Sequence, residues 1–262
     1  GTLSYQWYKG SEAISGAIAS TLSLVDAELA DAGEYKVVIS CMGEEITSRT
    51  ATVTVDKKLM ITQQPVSTII IEGDAFSLTT EAVGAGTLSY QWYKGSEAIS
   101  GATASTLKVT NAALADAGEY KVVVTDKNGS VTSTVAEVTV EKKLEITTHP
   151  ANTTIIEGKN GSLSVVAVGE GTISYQWYKG SEAISGAIAS TLNLTNVALT
   201  DAGEYKVVVT DKNGSVTSNA AKVTVEKKLE ITTNPADTIL IEGYSGSLSV
   251  EAVGEGTLSY QW

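Results

Sequence analysis

The tetrapeptide Ser-Tyr-Gln-Trp recurs along the chain, ending at Trp7, Trp92, Trp177 and Trp262, each 85 residues after the one before. That fixed period constrains the fold more than any single residue does. It is longer than the units of about 20 to 47 residues found in ankyrin, tetratricopeptide and leucine-rich repeats, which bury their apolar faces only by stacking on neighbours. A unit of this length is large enough to enclose a core, so each copy is predicted to fold by itself. The length of 262 residues would by itself suggest roughly two domains at about 150 residues each, and the repeat overrides that estimate. The predicted divisions are 1–58, 59–143, 144–228 and 229–262, the first and last being partial copies.

Inside one copy the apolar residues alternate with polar ones, as they do in half-buried strands. In the copy 144–228, Leu163, Val165 and Ala167 share one face, and Ile173, Tyr175 and Trp177 share another. Ser190 to Leu194 reads as a further strand. Tyr205, Val207 and Val209 then lead through Asp211-Lys212-Asn213-Gly214 to Val216, and Val223-Thr224-Val225 closes the unit. Asn-Gly between such segments predicts a type I′ hairpin, whose two central residues need positive φ; Asn128-Gly129 repeats the signal. Abundant Val, Ile, Leu and Ala interleaved with Ser and Thr suit pleated surfaces. The predicted fold class is all-β.

These residues resemble an I-set immunoglobulin domain. The strand C tryptophan of that family matches Trp7, Trp92 and Trp177, each within Tyr-Gln-Trp-Tyr-Lys-Gly. Its Asp-x-Gly-x-Tyr motif, which carries the tyrosine corner, matches Asp31 to Tyr35, Asp116 to Tyr120 and Asp201 to Tyr205. The resemblance covers essentially the whole chain and implies tandem two-sheet sandwiches forming a rod. The chain departs from the family at the two inter-sheet cysteines. Thr80 and Val122 stand there in one copy, Val165 and Val207 in the next, and Val250 and Val37 in the partial copies. A bridge is worth about 2–4 kcal/mol, and burying a valine recovers part of that at about 1.5–3 kcal/mol per side chain. Copies of this kind look like the disulfide-free immunoglobulin domains of large bacterial surface proteins and tailed-phage particles, which implies a spacer, an adhesive stalk or a surface decoration.

The copies are joined by Asp56-Lys57-Lys58, Glu141-Lys142-Lys143 and Glu226-Lys227-Lys228. A link this short, with no Gly/Ser or Pro-rich stretch, does not behave as a flexible coil, so adjacent copies are expected to touch and swivel little. Residues 1–7 and 256–262 are identical. Residues 1–57 therefore lack strands A and B, and residues 229–262 hold little else. This pattern is expected of a window on a longer repetitive protein; the alternative is that residues 229–262 complete the head of another chain by β-augmentation. Any signal peptide or anchor would lie outside the segment, since Gly1 opens it without an initiator Met or a hydrophobic leader.

A net charge of −12 argues against nucleic acid and anionic membranes, which require a dense Lys/Arg footprint. No apolar run approaches the roughly 18 residues of a membrane span. His149, the one histidine, occupies a position held by Gln64 and Asn234 in sister copies; a polar turn residue is expected, since one histidine builds neither a metal site nor a triad. Cys41, the sole cysteine, replaces Asp126 and Asp211 in the turn between strands F and G. It is read as an exposed thiol, the alternative being an interchain bridge or attachment point. Glu72, Asp74, Glu157 and Glu242 lie near domain ends, where calcium stiffens some extracellular arrays, but no EF-hand-like run accompanies them. The sequons at Asn128 and Asn213 carry no assigned role.

No catalytic, cofactor-binding or metal-binding residue is therefore predicted, and no enzyme. The expectation is a structural protein of an extracellular filament or stalk, on a cell surface or virion, self-associating end to end or laterally. A host- or glycan-binding decoration module is the alternative. The loop Gly95 to Gly101 matches Gly180 to Gly186 residue for residue, and such sameness suits polymer packing or avidity.

Overall fold

The computed structural model describes residues 1–262, and its regular elements are strands apart from three short 3-10 turns. The chain divides into two compact units, Gly1–Ile70 with Asp74–Thr139, and Ile71–Gly73 with Val140–Trp262.

The second unit contains one complete sandwich. One sheet runs Thr153–Ile156, Ala221–Glu226, Gly203–Asp211, Ser174–Lys179 and Glu182–Ala183, with Gly214–Thr217 also paired to Gly203–Asp211. Thr153–Ile156 lies parallel to its neighbour, Thr153 facing Val223, while the other pairs are antiparallel. Opposite this sheet, Gly161–Ser164 pairs with Thr191–Leu194 so that Leu163 faces Leu192. Glu145–Thr148 pairs with Val166–Val168.

Between the layers Trp177 is fully buried and shares its core with Leu163, Val165, Leu192, Val207, Val209 and Val223. Its indole Nε1 donates to Ala189 O at 2.9 Å, so the one polar atom of the ring is satisfied in the dry core. The tyrosine corner forms as predicted: Tyr205 Oη donates to Asp201 O at 2.8 Å, and Lys179 lies over the same ring, 5.8 Å from its centre. Burial, and after it the Asp201 charge, holds the Tyr205 hydroxyl above its ordinary pKa. Where the resemblance leads one to look for cysteines, Val165 and Val207 are 3% and 0% exposed.

The first unit repeats this pattern around Trp92, which is fully buried and donates to Ala104 O at 2.9 Å. Ser89–Lys94 pairs with Gly118–Asp126, placing Trp92 opposite Val122, and Phe76–Thr79 pairs with Thr106–Val109. Thr80, buried where the resemblance puts a cysteine, is reconciled to the core by donating its hydroxyl to Gln63 O at 2.8 Å.

The partial copies show what the missing strands supply. At the start of the chain, Ser4–Lys9, Glu12–Ala13, Gly33–Cys41, Glu44–Thr47 and Ala51–Val53 build one sheet with no second layer. Residues 21–24, which correspond to the paired strand Thr191–Leu194, are not a strand. Trp7 is only half-buried. In the last copy only Glu230–Thr233 and Glu251–Val253 pair; Leu248 is 55% exposed where Leu163 is 2%, and Trp262 is 69% exposed.

The hairpin expectation needs correction. Asp126 faces Gly129 and Asp211 faces Gly214, so the central turn residues are Lys127-Asn128 and Lys212-Asn213 rather than Asn-Gly. None of these four has positive φ. The Asp126 carboxylate accepts the Asn128 and Gly129 N–H groups at 2.8 and 3.1 Å and so fixes a turn of a different kind. Positive φ at both central residues occurs instead at Met42 (52°) and Gly43 (89°), in the first copy, where Asn-Gly does not occur.

Candidate functional site at the turn beside each link

In the first unit the Asp126 carboxylate is 8% exposed and serves two partners. One oxygen holds its own turn, as described above; the other accepts the Ala85 N–H at 2.9 Å. The loop carrying Ala85 approaches closely because Gly84 has no side chain: a Cβ there would lie 2.9 Å from both the carboxylate and Leu59, the first residue after the link. The Ala85 N–H, ahead of the Asn128 N–H, holds Asp126 below its ordinary pKa.

The next two turn residues reach back to the link. Lys127 Nζ lies 2.7 Å from the Asp56 carboxylate, and Asn128 Nδ2 donates to the same group at 3.1 Å. Lys127, then Asn128, lowers the Asp56 pKa. The turn thus combines a buried carboxylate that shapes it with a cation and an amide that grip Asp56, the first residue of the link.

The second unit repeats the carboxylate-shaped turn and the lysine contact with the link acid, but Asn213 Nδ2, the counterpart of Asn128 Nδ2, is buried without a hydrogen-bond partner. Asp211 accepts from the N–H groups of Glu170, Asn213 and Gly214 at 2.9, 2.7 and 3.1 Å. Lys212 Nζ meets Glu141 at 2.5 Å, which lowers the Glu141 pKa and raises that of Lys212. Glu170, standing where the first unit has Ala85, adds a contact by accepting the Lys142 N–H at 2.9 Å; Glu255 accepts the Lys227 N–H at 3.4 Å.

The residues singled out from sequence lie apart from one another. His149 Nδ1 accepts the Asn219 N–H at 3.1 Å, just as Gln64 accepts the Thr134 N–H at 2.9 Å. Cys41 is a half-buried free thiol. Glu72 and Glu157 donate their main-chain N–H groups to Glu141 O and Glu226 O, and the Asp74 carbonyl accepts from Ala112. No three His, Cys, Asp or Glu side chains are gathered as a metal site. A hollow of about 590 Å³ is lined by Leu229, Ile231, Val250, Leu258 and Trp262 and is the uncovered core face of the last partial copy. No helix is long and apolar enough to cross a membrane. Sequence reasoning read the turn only as a hairpin and missed its grip on the link. The available signal was that Asp-Lys-Asn recurs at 126–128 and 211–213 while Cys41-Met42-Gly43 replaces all three.

Residues 59–140 match the immunoglobulin I-set domain, and residues 145–211 match the immunoglobulin domain. The chain is 28% identical over 94% of its length to the muscle M-line assembly protein unc-89 of Caenorhabditis elegans. It is 30% identical over 64% of its length to Endoglucanase C of Cellulomonas fimi, and 28% identical over 74% to the mouse netrin receptor DCC. It spans only 3%, 16% and 14% of those proteins. Among solved structures it is similar to the I-band fragment I67-I69 from titin, with a TM-score of 0.64 at 18% identity, covering 85% of this chain and 88% of that one.

Proposed function

Because the chain is a tandem of immunoglobulin-like β-sandwiches of I-set type, we propose that it is a non-catalytic structural segment of an extracellular filament or stalk, self-associating and adhesive. The units of the array are 1–58, 59–143, 144–228 and 229–262, joined by links of three charged residues. The observation that carries this reading is the joint at Asp56, where a link too short to coil is held by Lys127 and Asn128 at 2.7 and 3.1 Å. Relatives that are muscle-assembly and receptor proteins support a structural or adhesive role. Near-identity of the copies favours a surface presented many times over one that reads several different ligands.

Electron microscopy with sedimentation of the purified chain tests this reading. Concentration-dependent, regular fibres are expected. Particles that remain monomeric at every concentration contradict self-association.

The similarity to part of Endoglucanase C favours a second reading, a glycan-binding decoration on a cell or virion surface. Its test is retention of the chain on polysaccharide columns. Retention by a monomer that forms no fibres would favour this reading over the first.

A further inference from the structure

We infer that the turn following Gly118–Asp126 is the lock of the joint, and that the turn at residues 41–44 is its unlocked form. The inference rests on the array reading only in that it concerns the joints of the array.

At the first joint the lock uses three side chains at consecutive positions. Asp126 shapes the turn and ties it to Ala85, while Lys127 and Asn128 hold the Asp56 carboxylate. In the first copy all three are replaced together. Cys41 has no carboxylate to accept backbone N–H groups, Met42 has no charge, and Gly43 has no amide. The backbone changes with them, as positive φ at Met42 and Gly43 turns the hairpin tip differently from Lys127-Asn128.

The charge changes as well. Met42 is 84% exposed, and Glu44 and Glu45, both exposed, stand where the second copy has Gly129 and Ser130. A link opening with Asp or Glu, as at Asp56, Glu141 and Glu226, would meet a methionine and two carboxylates there. Attraction is replaced by repulsion. A copy bearing the 41–44 turn therefore has no grip on an acidic link ahead of it, and the turn sequence determines whether a joint is stiff or free.

The test uses the whole chain with Cys41→Ser, carrying nitroxide labels at Glu12→Cys and Glu97→Cys, which are equivalent exposed positions in the first two copies. Double electron–electron resonance should give one narrow distance peak. Transplanting the unlocked turn as Asp126→Ser, Lys127→Met and Asn128→Gly should abolish that peak in favour of a broad distribution, while the thermal melt of the second copy is retained. If the triple variant fails to fold, Asp56→Lys alone should broaden the peak, and adding Lys127→Asp should restore it. A peak that stays narrow in these variants overturns the lock alone, leaving the array reading intact. A parent chain that is already broad overturns both.

Discussion

Trp177 and Tyr205 do the most at the scale of single residues. A fully buried indole with its nitrogen bonded to Ala189 O leaves a large cavity when removed, so Trp177→Ala should destabilise its copy by about 3–5 kcal/mol in denaturant titrations. The hydroxyl of Tyr205 makes one bond, to Asp201 O; Tyr205→Phe should cost only about 0.5–1.5 kcal/mol. Val207, in the strand Gly203–Asp211, and Val165, between the strands Gly161–Ser164 and Val166–Val168, occupy the family's cysteine positions and are buried in one core. Val165→Cys with Val207→Cys should form a bridge under oxidation and raise stability by about 2–4 kcal/mol, seen as a melting shift that reductant reverses. These residues were legible in the sequence because a constant period turns a common motif into a specific one. The pairing of Lys127 with Asp56 was not, since the two lie 71 positions apart and only the folded turn brings them together.

At the scale of elements, the turn next to each link couples shape to charge. Asp211 sits below its ordinary pKa of 3.8, chiefly through the Glu170 N–H. A carboxylate depressed on folding contributes stability that is complete above its unfolded value and is lost as pH falls through the folded one. Lys212 has the opposite sign: its raised pKa keeps the pair with Glu141 intact until pH rises above its ordinary 10.5. The turn should therefore hold from below pH 3.8 to above 10.5, and the Glu170 amide should lose exchange protection only in acid below pH 3.8. In Asp211→Asn that acid step should vanish, and persistence of the step would assign it elsewhere. Gly169→Ala places a Cβ 2.7 Å from the Asp211 carboxylate and should open the same turn at neutral pH. Strands were readable from alternation, whereas turn geometry was not: Asn-Gly is a hairpin signal, but here the aspartate two residues earlier captures the backbone N–H groups and moves the turn by one position.

For the whole molecule, the central claim is that each full 85-residue copy is an autonomous sandwich held without sulfur. The partial copies support it by contrast. Leu248 and Trp262 are exposed where their counterparts Leu163 and Trp177 are buried. Amides of residues 238–250 should accordingly exchange far faster than those of 153–165. The sequence made the period and the core visible, but it left the second layer of the end copies to be inferred from strands that are not there. Pulling single chains from their two ends provides the most direct test. Two unfolding steps of equal length are predicted, each releasing the contour of 85 residues, about 280–306 Å at about 3.3–3.6 Å per residue, less the end-to-end length of the folded copy, and both are indifferent to reductant. A single merged step, or extension without discrete steps, would contradict the account.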